Sequence, residues 1–289
     1  MTLLSETVQY AISGVTAGSI YAVIGICWSV VYLITKVLNF TTGEFVMLGG
    51  MLTWAFHRLG FGLLPSVFFA VACTTAISML LERFVIRPIR FPTEMTYMMI
   101  TIASASVIKG LVLLQWGSES RRIEPFFGTG VIHILGAGVT SQVLCVVALM
   151  SLITLSLHLF LNHTLMGTAL RASAINLTGA RLIGIDVGKF RLFCFGLAGG
   201  LGAVTGIVTA PITFTGYEIG MLTGLKGLVA AIAGGWSMTG TVAAGLTLGL
   251  LEGFGAGFVS TGLKDVLALL VMILFLILRT ISLPGMRKR

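Results

Sequence analysis

The chain has 289 residues, of which only 10% are charged, 56% are hydrophobic types and the mean hydropathy is +1.04. An average soluble domain carries about 25% charged residues, so a soluble globular protein, a disordered chain and a disulfide scaffold are excluded. The net charge of +8 does not signal a nucleic-acid partner, because the Lys and Arg residues sit in short clusters between apolar runs, the pattern of a polytopic membrane protein.

A spanning helix needs about 20 mostly apolar residues. Such runs lie near 8–34, 40–57, 63–82, 95–114, 141–161, 189–211, 219–236, 238–258 and 263–280. They predict an all-α transmembrane bundle of eight or nine segments, one or two of them re-entrant or broken. They are far too long for the strands of a membrane barrel. No basic residue precedes Lys36, so the first run reads as a span and not as a cleavable signal.

Charge sets the expected orientation. One basic cluster is Arg83, Arg87 and Arg90, a second is Arg171, Arg181, Lys189 and Arg191, and the tail holds Arg279, Arg287, Lys288 and Arg289. Nine spans place all three on one side, which the positive-inside rule makes cytoplasmic, together with the C-terminus. The N-terminus and the loop from Gln115 to Ser141 then lie outside, where Glu119, Arg121, Arg122 and Glu124 cancel in charge. The longest polar intervals, 115–140 and 162–188, are too short for an appended soluble domain, so residues 1–289 read as one membrane domain.

Small residues mark helix faces. Gly14 and Gly18, then Gly216, Gly220 and Gly224, then Gly245, Gly249, Gly253 and Gly257 each recur every four residues. This spacing lets helix backbones approach closely, and it also suits a groove along a transport route. Residues 40–49 and 214–224 echo one another: each has Phe-Thr, a Gly, a Glu and then Met-Leu. Gly-interrupted segments in corresponding places are a pointer to a transporter site.

Glu44, Glu218 and Glu252 lie in or beside apolar runs, where a charge at the bilayer centre costs roughly 2.5–3.5 kcal/mol on the insertion scale. Lys226 follows Glu218 by two helical turns, so the two can share a face. Glu44, beside Asn39 and Gly43, is a candidate for a pathway or gate, or else an interfacial residue bonded to backbone. Glu252, on a glycine face, reads as an interhelical hydrogen-bond partner. Lys109 and Lys264, near span ends, are expected to snorkel. Cys27, Cys73, Cys145 and Cys194 each sit in an apolar run and read as packing residues.

Enzyme signatures are missing. His57, His133, His158 and His163 are scattered without metal-ligand spacing, and no nucleophile elbow occurs. The one Gly-Lys pair, Gly188-Lys189, is followed by Phe190 and makes no P-loop. No metal and no cofactor are therefore expected on this chain, and any ATP-driven transport needs an ATPase on another subunit. The segment from His163 to Asp186 carries small residues and spaced arginines. Thr178 is a candidate N-cap for a short helix through Arg181, and Gly184 a candidate stop. Such an elbow suits a cleft on a partner, or is an ordinary basic loop.

This segment resembles the cytoplasmic loop of the LivH-type permeases of branched-chain amino-acid ABC importers through Gly167, Ala169, Arg171, Ala172, Ala174, Asn176, Ala180, Arg181, Leu182, Gly184 and Ile185. Similar matches run along the chain: Gly18–Ala22, Val37–Gly49, Glu82-Arg83 with Arg87–Arg90, Gly224–Gly235, and Lys264-Asp265. The chain departs from the family at Thr41-Thr42, around Thr178-Gly179, and in the ending from Arg279 to Gly285. The resemblance implies a permease subunit of an ATP-driven importer in a bacterial inner membrane. Its implied partners are a second related permease, two ATP-binding subunits, a periplasmic substrate-binding protein and membrane lipid. It implies coupling through Gly167, Arg171, Ala172, Arg181 and Gly184, with Asn39, Gly43, Glu44 and Glu218 as pathway candidates. Related permeases carry amino acids, urea, short amides or aromatic carboxylates. The rival reading is a stand-alone secondary transporter or channel.

Overall fold

In a bilayer, long apolar runs can satisfy every backbone group internally only as helices or a closed barrel, and this chain does so as helices. The computed structural model describes residues 3–89, 93–126, 128, 130–134 and 136–258, with isolated positions at 262, 266, 269, 270, 273 and 277. Arg90, most of the expected span 263–280 and the basic C-terminal tail fall outside the described residues. The helices are α1 (Leu3–Thr35), α2 (Thr41–Arg58), α3 (Leu63–Leu80), α4 (Glu94–Trp116), α5 (Ser141–His163), α6 (Leu165–Ile175), α7 (Leu177–Leu182), α8 (Val187–Thr213), α9 (Ile219–Ala233) and α10 (Met238–Phe258). A π-helical turn, Leu81–Ile86, extends α3.

Six of these helices are long and apolar enough to cross a membrane: α1, α3 with its π turn, α4, α5, α8 and α10. The shorter pair, α2 and α9, has 18 and 15 residues. At 1.5 Å per residue, α9 spans about 22 Å, less than the ~30 Å hydrocarbon core. The two are nonetheless well buried, because α1, α8 and α10 surround them. Around this centre, α3, α4 and α5 expose Leu64, Phe68, Leu111, Leu114 and Leu152, as lipid-facing helix surfaces do.

One element departs from the all-α expectation. Residues Val131–Ile134 (β1) and Ala137–Thr140 (β2) pair antiparallel, with Val131 opposite Thr140 and Ile134 opposite Ala137. The turn needs a left-handed residue, and Gly136 supplies it at φ +84°. Ala137 and Val139 bury one face of β2 while Gln9 Nε2 donates to the Gly138 carbonyl at 3.2 Å, so the hairpin leans on the N-terminal part of α1. Four-residue strands are too short to show a period against an apolar background.

Glycines set the close helix crossings. A Cβ on Gly18 would stand 2.7 Å from Leu246 Cα and one on Gly14 2.8 Å from Leu250 Cα, so α1 and α10 touch backbone to backbone. The face of Gly245, Gly249 and Gly253 is therefore a packing seam. At the crossing of α2 and α8, a Cβ on Gly206 would overlap the Val46 carbonyl oxygen, and one on Gly49 the Ala203 backbone. Overpacking costs about 1–3 kcal/mol and occasionally more. Gly206→Val is expected to lower the thermal midpoint of the detergent-solubilised protein well below wild type. Gly110→Ala, which meets nothing within 4 Å, serves as the control and should leave the midpoint unchanged.

Candidate functional site

Two breaks in the helical path create a polar junction inside the bundle. The first, residues 36–40, separates α1 from α2, and the second, residues 214–218, separates α8 from α9. Each opens with a non-glycine residue at positive φ, Lys36 at +54° and Phe214 at +62°. With ψ at 176°, Phe214 occupies a region nearly reserved for glycine, a strain of about 1–3 kcal/mol. Pairing with the segment between α4 and β1 holds it in place: Arg121 N donates to the Thr215 carbonyl at 2.6 Å, and Thr215 N to the Arg121 carbonyl at 2.8 Å. The Arg121 guanidinium also lies over the Trp54 ring at 4.8 Å and pairs with Glu119 at 2.9 Å.

The N-terminal ends of α2 and α9 meet at this junction. Thr42 and Phe45 pack on Gly202, near the middle of α8, so α2 begins deep in the bundle. Gly43 lies directly on Gly220 and Gly224 of α9, which brings the two echoing sequence segments together. Trp28 Nε1 donates to the Gly224 carbonyl at 3.1 Å and fixes α1 to the same point.

Asn39 is fully buried; its Oδ1 accepts from Thr41 N at 3.2 Å and Thr41 Oγ1 at 2.5 Å, while its Nδ2 has no partner. Glu44 is 3% exposed, and its Oε2 also has no hydrogen-bond partner. That oxygen sits 2.7 Å from where a Gly220 Cβ would stand, at the start of α9. Asn39, Gly43 and Glu44 thus converge. Glu218 occupies the N-cap position of α9, is exposed and makes no capping bond through its side chain, beside the Tyr217 hydroxyl.

One sequence expectation fails here. Lys226 does not face Glu218. Its Nζ reaches across to Glu252 Oε2 of α10 at 2.8 Å and to the Tyr21 hydroxyl of α1 at 3.0 Å, and Tyr21 donates to the same Glu252 oxygen at 2.7 Å. A buried ammonium needs a counter-charge within reach, and Glu252 is buried with it while Glu218 is exposed. Lys109 is half-buried on α4, with Nζ 5.1 Å from the centre of the Tyr217 ring. The one signal that points to it is its place, 15 residues into a 23-residue apolar helix.

The segment from His163 to Asp186 folds as a two-helix elbow. Thr164 caps α6 by accepting from Gly167 N at 3.0 Å, and Asn176 caps α7 by accepting from Gly179 N at 2.9 Å. Asn176, not Thr178, is the N-cap, since α7 starts at Leu177. Gly184, at φ +86°, ends α7, and Asp186 caps α8 through Gly188 N and Lys189 N. Those bonds, the Lys189 amide first, hold the Asp186 carboxyl below its ordinary range. Gly167 is buried against Phe160 and Leu161, which ties α6 to the end of α5. Arg171 donates to Asn162 Oδ1 at 2.9 Å, Ala172 is half-buried, and Arg181 points outward exposed. Around them Leu165, Ile175 and Leu182 are 92%, 88% and 83% exposed, an apolar patch with basic residues outside the bundle.

A bundle with paired broken helices at its centre and a capped elbow on its basic side is the architecture of a membrane permease. The chain belongs to the family described as branched-chain amino acid transport system / permease component, whose sequence profile matches residues 10–276. It is 29% identical to the high-affinity branched-chain amino acid transport system permease protein LivH of Escherichia coli strain K12, covering 96% of this chain and 95% of that one. The corresponding BraD of Pseudomonas aeruginosa is 28% identical over 96% and 95%. A probable LivH of Methanocaldococcus jannaschii is 27% identical over 88% and 85%. The chain is thus an inner-membrane permease component of an ABC importer, a class that works with ATPase and binding-protein components.

Proposed function

We propose that this chain is one of two related permease subunits that together pass a branched-chain amino acid, or a related small carboxylate or amide, across the inner membrane. Two ATP-binding subunits below and a periplasmic binding protein above complete the assembly. ATP binds to those partners, and this chain carries no catalytic residue, metal or cofactor of its own. Residues 1–289 form one permease domain of eight or nine membrane segments, with the N-terminus outside and the C-terminus cytoplasmic.

The observation that carries the reading is the elbow of α6 and α7. Leu165, Ile175 and Leu182 stand almost fully in the open on a segment whose two helices are each capped. An ordered loop that holds large apolar side chains away from its own bundle suits insertion into a partner's cleft. Gly167 and Arg171 brace the elbow on α5, Ala172 packs within it, Gly184 makes its final turn, and Arg181 meets the partner. At the other end of the mechanism, Asn39, Gly43, Glu44 and Glu218 line the route at the start of α2 and α9.

The test is ATP turnover by the co-expressed complex in proteoliposomes, with its binding protein, across leucine, urea and benzoate. Stimulation by one ligand with matching uptake is expected. No stable complex with any ATPase, together with uptake that follows an ion gradient, would replace this reading with a stand-alone secondary transporter.

A further inference from the structure

We propose that Glu44, Asn39 and Lys109 form a transit subsite for the charged head of a zwitterionic cargo, with Glu44 receiving the ammonium group and Lys109 the carboxylate. The assignment rests on the importer reading above and adds to it the groups that read the cargo's polar end.

Buried polar atoms are almost always hydrogen-bonded, so the exceptions ask for a partner. Glu44 Oε2 is a buried acceptor with no donor. An ionised carboxylate can only accept, so the missing partner carries an N–H or O–H. Asn39 Nδ2 is a buried donor with no acceptor. Its orientation is fixed, because Thr41 N must donate to the Asn39 oxygen. Lys109 supplies the third open valence. Among the described residues it makes no ion pair, and its ammonium rests on the face of Tyr217. Its helix packs on α2, the helix of Glu44, and the Tyr217 ring beneath it adjoins the N-cap of α9. The first turn of α9 adds backbone N–H groups without a side-chain cap, directly beside Glu44 Oε2.

One ligand chemistry meets all four features. The ammonium of an amino acid donates to Glu44, while its carboxylate takes Lys109, Asn39 Nδ2 and the amide end of α9. The charged head of the cargo then lies between an anion and a cation, each of its charges facing a counter-charge. A plain carboxylate leaves Glu44 without a donor and sets a like charge beside it. A neutral amide donates to Glu44 and offers Lys109 a carbonyl oxygen but no counter-charge. Gly43 rests on Gly220 and Gly224, so the subsite is shut between α2 and α9 in this conformation. It opens when the start of α9 moves off α2, about the break at 214–218 that the Arg121–Thr215 pairing holds from outside.

The experiment measures uptake and ATP turnover together in proteoliposomes holding the full complex, with binding protein and radiolabelled leucine, urea or benzoate. For wild type, leucine is the expected cargo. In Glu44→Gln and Lys109→Met complexes that co-purify with the ATPase subunits, leucine moved per ATP is expected to fall at least tenfold. Lys109→Arg should restore most of it. If Glu44→Gln does not assemble, the Lys109 pair of variants decides alone. Wild-type leucine transport per ATP in Lys109→Met, or in Glu44→Gln, overturns the subsite. Stimulation of wild type by benzoate alone also overturns it while leaving the importer reading intact. Absence of any ATPase stimulation in wild type removes the importer reading itself, and the subsite with it.

Discussion

Glu252→Ala is expected to destabilise the bundle by about 3–5 kcal/mol, because it strips a buried ammonium of its carboxylate. Lys226, Glu252 and Tyr21 join α9, α10 and α1, with the Lys226 and Glu252 side chains only 10% and 9% exposed. The Tyr21 hydroxyl remains near Lys226 in the variant, but a neutral oxygen does not replace a charge. The drop in thermal midpoint in detergent should be about 10 °C. Replacing both charged partners with apolar residues of similar volume, Lys226→Met with Glu252→Leu, removes the uncompensated charge. That double variant should regain most of the loss, and Tyr21→Phe alone should lower the midpoint only slightly, by about one hydrogen bond's ~1 kcal/mol. An unchanged midpoint in Glu252→Ala would show that the pair does not hold the three helices.

The second large effect belongs to the elbow. Arg171→Glu turns the donor pair to Asn162 into a repulsive contact with its carbonyl oxygens, and puts a negative charge on a basic face. Gly184→Val places a β-branched residue at φ +86°, a conformation that L-residues adopt at a cost of roughly 1–2 kcal/mol. Neither change touches the packed centre, so membrane insertion should proceed. Ligand-stimulated ATP turnover should fall by about tenfold or more in each, the effect of about 1.4 kcal/mol on a coupling equilibrium. Normal stimulated turnover in both variants would remove the elbow from the coupling path.

How much of this was legible in the sequence depends on whether the signal was local. The glycine faces were, because a four-residue repeat specifies a seam wherever the partner lies, and Gly14 and Gly18 met Gly245 and Gly249. The stop at Gly184 was legible for the same reason, since one backbone angle decides it. The echo of residues 40–49 in 214–224 pointed to two helix starts that turned out to touch. Long-range pairing was not legible. Helical spacing offered Glu218 to Lys226, but the carboxylate that reached it came from a different helix, 26 residues later. Lys109 read as a cation near a span end, and only the fold brings Tyr217 beneath it. Asn176 was passed over as a cap in favour of Thr178 by a two-residue error in where α7 begins.

The shortness of α9 also constrains how the protein is made. A 15-residue helix carrying Lys226 is a poor substrate for the translocon, which admits segments one by one according to length and apolarity. Its charge is matched by Glu252 on α10, the next segment to emerge. The two therefore enter the bilayer most cheaply as a preformed pair, with Gly234, Gly235 and Ser237 between them as a tight turn. The pairing of Lys226 with Glu252 is thus expected to aid the insertion of α9 as well as to hold the folded bundle.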